Sequence, residues 1–196
     1  MTKNTNKLTG KDIINIGIYS AILFVVVFAA AMLGMIPVGY PALTIVIPLV
    51  GGIVFELFLT KVKKFGMIWI MSLIMGALML FTGMGYYPLI VSIISGFITE
   101  MIVKSGAYSS RIKSIFANGT FFCWVWGNYF LFYFDRDAFI ASRAEAVGTG
   151  FTDAINRLLP FWTCPLLLVI CFVSGIFGGL WGISMLKKHL KKAGIE

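Results

Sequence analysis

The chain has 196 residues, of which 59% are hydrophobic and only 12% are charged, and its mean hydropathy is +0.94. Soluble proteins carry about 25% charged residues, so lipid must solvate most of this chain. At about 20 residues per span, its length allows about six transmembrane helices. This excludes a bulky catalytic or ATP-binding domain within these residues.

Hydropathy predicts six transmembrane helices in a single all-α domain over residues 1–196. Their approximate bounds in chain order are 13–35, 42–59, 66–81, 88–103, 114–134 and 158–186. The second, third and fourth are near the lower limit of about 17 residues for a spanning helix.

The long polar connection 135–157 is predicted to lie outside the cell as a lid, the alternative being a passive solvated linker. A short helix over 139–147 is expected to break at Gly148–Gly150. Thr152 is then expected to cap a helix that runs into the sixth span.

The net charge of +8 comes from 16 basic and 8 acidic residues, and its meaning depends on position. Thirteen basic residues lie in the two terminal segments and in the connections between spans 2 and 3 and between spans 4 and 5. They are Lys3, Lys7, Lys11, Lys61, Lys63, Lys64, Lys104, Arg111, Lys113, Lys187, Lys188, Lys191 and Lys192. Basic flanks stay in the cytoplasm, so both termini are predicted to be cytoplasmic. The dispersal of these residues disfavours nucleic-acid binding.

The residue types that bind metals or react as nucleophiles are sparse. Cys123, Cys164 and Cys171 all lie in apolar runs, and His189 is the only histidine. Without a CxxC or Cys/His pair, buried inert thiols are expected rather than a metal site or a disulfide framework.

Glu56 and Glu100 are the two carboxylates within the predicted spans, both near cytoplasmic ends. Glu100 is four residues before Lys104, and Glu56 is five before Lys61, so pairing with these basic flanks is the main interpretation. The alternative is contact with a cytoplasmic partner. An enzyme built on these carboxylates is disfavoured, because nothing places a nucleophile or oxyanion donors beside them.

Small residues recur at helical spacing in the first and last spans. Gly17 and Ala21 are four residues apart in span 1. The last span contains Gly175, Gly178, Gly179 and Gly182. Such pairs allow close helix approach, and packing within the chain is the simpler interpretation for the last span.

Aromatic residues are concentrated in the half of the protein predicted to face outward. In span 5, Trp124 and Asn128 share one face with Phe132 at α-helical spacing. A mostly apolar ligand site uses such side chains, whereas an interfacial aromatic belt is the alternative. The candidate substrate-binding residues are Tyr40, Tyr86, Tyr87, Trp124, Asn128, Tyr129 and Trp162.

Sequence motifs for energy coupling and catalysis are absent from the 196 residues. The chain contains no GxxxxGK[ST] loop, no HExxH and no hydrolase or kinase motif. No intramembrane Asp/His/Lys relay is visible either. We therefore expect neither catalysis nor a cofactor in this chain, and active transport would need a partner.

The chain resembles a known group of membrane proteins in its opening segment, LTGKDIINIGIYSAI from Leu8 to Ile22, and in its six predicted spans and two predicted cytoplasmic ends. By these features the chain is similar to the substrate-binding S component of energy-coupling factor (ECF) transporters, and among these to the Trep_Strep family of integral membrane proteins. S components carry an AxxxA motif in helix 1 that packs on the transmembrane coupling subunit. Gly17 and Ala21 match it, with Gly in place of the first Ala.

The resemblance implies a receptor in the plasma membrane that binds a small molecule outside and is served by the coupling subunit and two ABC ATPases, which use ATP. It places the ligand under the outer connections. The N-terminus lacks the His-rich segment of a metal-type S component, so a vitamin-like, aromatic or tetrapyrrole-like organic nutrient is favoured. The alternative is a membrane scaffold or accessory protein without a ligand.

Overall fold

The structure, a computed structural model, describes residues 7–192, with the side chains of 142–147, 149 and 189–192 left out. No β-strand occurs among the described residues. Two 3-10 segments, Met32–Met35 and Phe122–Tyr129, interrupt the series of α-helices. The α-helices are α1 (Gly10–Ala31), α2 (Gly39–Leu59), α3 (Met67–Phe81), α4 (Tyr87–Ser105), α5 (Arg111–Phe121), α6 (Phe130–Phe134), α7 (Arg136–Val147), α8 (Thr149–Leu158) and α9 (Thr163–Lys192).

Four helical segments within the described residues are long and apolar enough to cross a bilayer. They are Gly10–Met35, Gly39–Leu59, Tyr87–Ser105 and Thr163–Lys188. At 15 residues, α3 is about 22 Å long, which is short of the ~30 Å hydrocarbon core. The predicted all-α membrane architecture is confirmed, while six crossings stay a prediction.

The predicted fifth span is not one continuous α-helix. It consists of α5, an eight-residue 3-10 segment and α6. A 3-10 helix rises about 2.0 Å per residue and repeats every three residues. The α-helical spacing assumed for Trp124, Asn128 and Phe132 is therefore wrong, although Trp124 and Asn128 both line one cavity.

Glycines bring α2, α5 and α9 into close backbone contact. A Cβ on Gly52 would lie 2.6 Å from the carbonyl carbon of Gly178, and one on Gly175 would lie 2.7 Å from Gly119 Cα. The Phe122 ring, where the 3-10 segment begins, occupies the space that a Cβ on Gly51 would need. The prediction that the α9 glycines pack within the chain is confirmed.

Three of the four predicted basic segments converge at one end of the bundle, called here the basic end and formed by residues 7–12, 60–66 and 104–113. Lys64 Nζ pairs with Asp12 Oδ2 at 2.7 Å, tying the loop before α3 to α1. Lys104 Nζ lies 4.8 Å from the centre of the Phe65 ring. The opposite end, with residues 36–40, 82–87 and α6–α8, is called the aromatic end.

Part of the predicted basic distribution lies outside the described residues. Lys3 precedes the described chain, and the side chains of His189, Lys191 and Lys192 are not described. The fourth segment is represented at the basic end by Lys187, which shares a surface cavity with Arg111.

The predicted pairing of Glu100 with Lys104 is wrong. The carboxylate of Glu100 accepts hydrogen bonds from the backbone N–H groups of Ile68 (2.9 Å) and Trp69 (3.1 Å). It also accepts one from the Tyr108 hydroxyl at 3.3 Å. These N–H groups are in the first turn of α3 and have no hydrogen-bond partner within the helix. The buried Glu100 carboxylate supplies that partner instead of pairing with the exposed Lys104.

Glu56 is also not paired with the basic flank, contrary to the prediction for Lys61. Its side chain is buried against α9, where Oε1 lies 3.2 Å from the Cβ position of Gly179. The Asn118 amide is within 3.4 Å of the same oxygen and donates to the Gly52 carbonyl at 3.2 Å. Helical side chains point back toward the N-terminus, which turns Glu56 into the bundle rather than toward the loop.

The 135–157 connection folds as α7 and α8, with a break at Gly148, whose φ is +78°. The predicted break is thus confirmed at its first residue. The predicted cap at Thr152 is wrong, because α8 already begins at Thr149. Phe151 and Ile155 on α8 are buried together with Phe139 on α7, so this connection packs on the bundle, while its role as a lid stays a prediction.

We predict that Gly52→Ala destabilises the protein by about 1–3 kcal/mol, because its Cβ would meet backbone that cannot rotate away. The measurement is the unfolding midpoint in detergent. The control is Gly17→Ala, which meets no atom within 4 Å and should be neutral or stabilising by up to about 1 kcal/mol. Equal midpoints for the two variants would show that the α2–α9 contact is not close.

Candidate functional site: an apolar cavity at the aromatic end

A cavity of about 170 Å³ lies in the half of the bundle nearer the aromatic end. Its walls come mainly from α1, the first half of α2, the end of α3 with the loop that follows, and the segment Phe122–Tyr129, which is called the 3-10 segment from here on. Apolar side chains such as Val27, Ile47 and Met79 form most of the surface. A concave apolar site with a few polar groups is the usual form of a small-molecule site.

Two tyrosines hold the wall between α2 and the 3-10 segment. The Tyr129 hydroxyl donates to the Tyr40 carbonyl at 2.6 Å, and the Tyr40 hydroxyl donates to the Asn128 carbonyl at 3.3 Å. Their ring centroids are 4.9 Å apart. Because both hydroxyls bond the backbone of the opposite segment, they set the width of this side of the cavity.

The same wall carries an unpaired donor and an unpaired acceptor. Trp124 Nε1 and Asn128 Oδ1 are buried and have no hydrogen-bond partner among the described residues. The Asn128 amide nitrogen donates to the Val125 carbonyl at 3.0 Å, which leaves its oxygen as the free group. An unmet buried polar group costs about 1–3 kcal/mol, so a ligand that pairs with either atom would gain that energy.

Three other buried side-chain atoms lack a partner among the described residues, and none belongs to the lining of this cavity. Two are the hydroxyls of Ser20 and Ser95, and the third is Asn118 Oδ1. Within the described chain, the cavity lining therefore includes two residues, Trp124 and Asn128, that each carry an unpaired buried polar atom.

No residue of the described cavity lining has a carboxylate, ammonium, guanidinium or imidazole side chain. The polar character of the walls comes from Tyr40, Thr82, Trp124, Asn128 and Tyr129. A site of this kind orients a ligand by hydrogen bonds and does not neutralise a charge.

Four of the seven candidate substrate-binding residues line this cavity, namely Tyr40, Trp124, Asn128 and Tyr129. The other three lie outside its lining. Tyr86 is exposed and stacks on Tyr87, with their centroids 4.4 Å apart, and Tyr87 contacts Phe130. Trp162 is 66% exposed just before α9, a position suited to a membrane interface.

The rest of the lining consists mainly of apolar residues that the sequence does not single out. Val27, Phe28 and Ala31 come from α1 and Met79 from α3, while the polar Thr82 follows α3 directly. Apolar residues inside an apolar span have no distinguishing pattern, so only their position in the bundle reveals them. Thr82 follows directly on a predicted span and was the one polar signal available.

Above the tyrosine wall, α7 and α8 place aromatic rings against Tyr40. The centroids of Phe139 and Phe151 lie 5.8 Å and 6.1 Å from that of Tyr40. The Tyr40 side chain is 3% exposed as a result. Helices α7 and α8 thus cover the Tyr40 side of the cavity wall.

The two predicted partner-interface residues lie on an open surface of α1. A Cβ on Gly17 would meet no atom within 4 Å, and Ala21 is exposed. Large apolar neighbours on the same helix, including Ile14 and Ile18, are more than half exposed. Lipid or another protein must cover this surface in a membrane.

The described residues contain no group of three His, Cys, Asp or Glu side chains that could hold a metal ion. The three cysteines are unpaired thiols. Cys123 and Cys171 donate weak hydrogen bonds to the carbonyls of Gly119 and Phe122, respectively. Both thiols therefore take part in contacts within the bundle.

A model of a family described as hypothetical bacterial integral membrane protein (Trep_Strep) matches residues 10–192. The chain belongs to the Trep_Strep family. No curated protein and no solved structure matches it. The Trep_Strep part of the predicted resemblance is thereby confirmed, together with its class as an integral membrane protein.

In this Trep_Strep protein, we predict that Tyr129→Phe lowers the free energy of unfolding by about 1 kcal/mol, since it removes one buried hydrogen bond. The unfolding midpoint in detergent checks this. Tyr86→Phe, at an exposed position, serves as the matched control and should leave the midpoint unchanged. Equal losses in both variants would mean that the tyrosine wall does not depend on this bond.

Proposed function

We propose that this Trep_Strep protein is the substrate-binding S component of an ECF-type importer. It captures a small organic nutrient of the vitamin type, with aromatic or tetrapyrrole-like compounds as candidates. A transmembrane coupling subunit and two ABC ATPases drive release into the cell. In this proposal the chain itself catalyses nothing and holds no cofactor, and ATP is used by the partner subunits.

The observation that carries the proposal is an unpaired donor and an unpaired acceptor on two residues that line the cavity. Trp124 Nε1 and Asn128 Oδ1 are buried without a partner among the described residues, on one wall of an otherwise apolar space. A scaffold protein gains nothing from leaving two polar atoms unmet. A receptor gains affinity from them, because a ligand that pairs with both replaces its lost hydration.

The distribution of charge supports the orientation that the proposal needs. Most basic residues of the described chain gather at the end remote from the cavity, whereas Arg136 and Arg157 lie on α7 and α8 at the aromatic end. If the basic end faces the cytoplasm, the cavity lies in the outer half of the membrane. We propose six crossings of the plasma membrane, with both termini cytoplasmic and α7–α8 outside.

The partner surface in this proposal is the exposed face of α1. Gly17 and Ala21 are four residues apart and leave a shallow groove between exposed apolar side chains. Small residues at this spacing permit close approach of a second helix. The coupling subunit would pack there, and Gly17, in place of the first alanine of the S-component motif, leaves room for that approach.

We predict that the purified protein carries a small molecule and that Trp124→Phe weakens its binding about tenfold, the effect of one lost hydrogen bond of ~1.4 kcal/mol. Native mass spectrometry of the co-purifying ligand measures the occupied fraction. Trp181→Phe, on an exposed part of α9, is the control. An empty wild-type protein in every growth medium would favour the scaffold alternative.

We also predict that Ala21→Trp reduces co-purification of the coupling subunit and ATPases at least tenfold while ligand occupancy is retained. A bulky ring at this position prevents close helix approach. Ile94→Trp, at an exposed apolar position on α4, is the control for added bulk. Undiminished assembly of the Ala21→Trp variant would remove α1 from the interface, and uptake without the ATPases would overturn the proposed mechanism.

A further inference from the structure

We infer that the ligand is an uncharged molecule that places a single ring in the cavity and enters from the outer half of the bilayer. The entrance is a lateral opening between α1 and the end of α3. This inference rests on the proposed function of the cavity as a ligand site, and it adds the chemical class of the ligand and its route.

The rim of the cavity is the part of its lining that is exposed. Phe28 on α1 is 56% exposed, and Ala31 and Thr82 are also exposed. Trp124 and Tyr129, on the opposite wall, are almost completely buried. The cavity therefore opens between α1 and the end of α3 and is closed at the 3-10 segment.

This opening reaches the surface that lipid covers. Phe28 lies in a run of exposed apolar residues that includes Val25 on α1 and Met32 directly after it. All three belong to a segment long and apolar enough to span a membrane. An apolar face of this kind contacts acyl chains in a bilayer, so a molecule dissolved there meets the cavity mouth directly.

The lid makes entry along the axis of the bundle less direct than entry from the side. Phe139 and Phe151 pack on the Tyr40 ring, and Phe139 is itself buried. A ligand that enters along the bundle axis from the aromatic end would have to displace these aromatic contacts. A ligand arriving between α1 and α3 displaces only lipid.

The walls determine the charge and size of the ligand. No described lining residue could neutralise a charge, and burial of an unpaired ion costs several kcal/mol. The volume of about 170 Å³ is close to the ~150 Å³ of an engineered apolar cavity that holds benzene. One uncharged ring with a hydrogen-bonding group fits this volume and these mostly apolar walls.

The test uses three fluorinated probes of the same shape and different charge: 4-fluorobenzyl alcohol, 4-fluorobenzoate and 4-fluorobenzylammonium. Fluorine NMR of the protein in lipid nanodiscs measures binding, and empty nanodiscs correct for partition into lipid. We expect the neutral alcohol to bind at least tenfold more tightly than either ion. Equal binding of an ion, or no binding of the alcohol, overturns the inference.

The route is tested with two substitutions on the same helix. Ala31→Trp puts a large ring at the rim, and we expect at least a tenfold loss of binding of the alcohol. Ala29→Trp, also exposed but outside the cavity lining, should bind it as the wild type does. Equal binding by the two variants overturns the lateral route.

The comparison of probes needs only the wild-type protein, so it stands even if Ala31→Trp fails to fold. Its outcome is also independent of the transport assay. Uptake that persists without the ATPases would overturn the proposed function. The preference for the neutral probe would be measured separately and would be unaffected by that result. If a charged probe binds as tightly as the alcohol and uptake still depends on the ATPases, only this inference is overturned.

Discussion

The close contact between Gly52 and Gly178 determines how the other elements pack. Because neither residue has a Cβ, the backbones of α2 and α9 approach within a distance that any side chain would prevent. In lipid, helix association depends on such packing and on buried polar contacts. Gly175 and Gly119 extend the contact to α5, and Gly51 admits the ring of Phe122, where the 3-10 segment begins. The cavity wall is therefore a consequence of this glycine-lined core.

Buried polar groups are used differently at the two ends of the bundle. At the basic end, Glu100 meets the first N–H groups of α3 and Glu56 lies beside Asn118, so the carboxylates join helices together. At the aromatic end, Trp124 and Asn128 each keep one polar atom unpaired within the described chain. The hydroxyls of Ser20 and Ser95 and Asn118 Oδ1 are unpaired as well, but only Trp124 and Asn128 belong to residues that line the cavity.

Errors in the sequence interpretation share one physical origin. The face proposed for Trp124 and Asn128 assumed 3.6 residues per turn, but contacts of Phe122 and Gly127 with neighbouring helices accompany a 3-10 segment that local propensity does not reveal. The pairings proposed for Glu56 and Glu100 used near neighbours in the chain. Both carboxylates instead contact residues more than thirty positions away, and a single sequence does not identify such partners.

By itself, the sequence determined that this is an all-α membrane protein with basic residues gathered on one side and aromatic residues on the other. Those properties follow from composition and from the order of apolar and charged runs, which lipid and water sort without regard to detailed packing. Only the tertiary structure decided that Tyr40, Trp124, Asn128 and Tyr129 share a cavity and that Tyr86, Tyr87 and Trp162 do not line it. The reason is that a cavity is the space left between α1, α2, α3 and the 3-10 segment, and its shape depends on contacts between residues far apart in the chain.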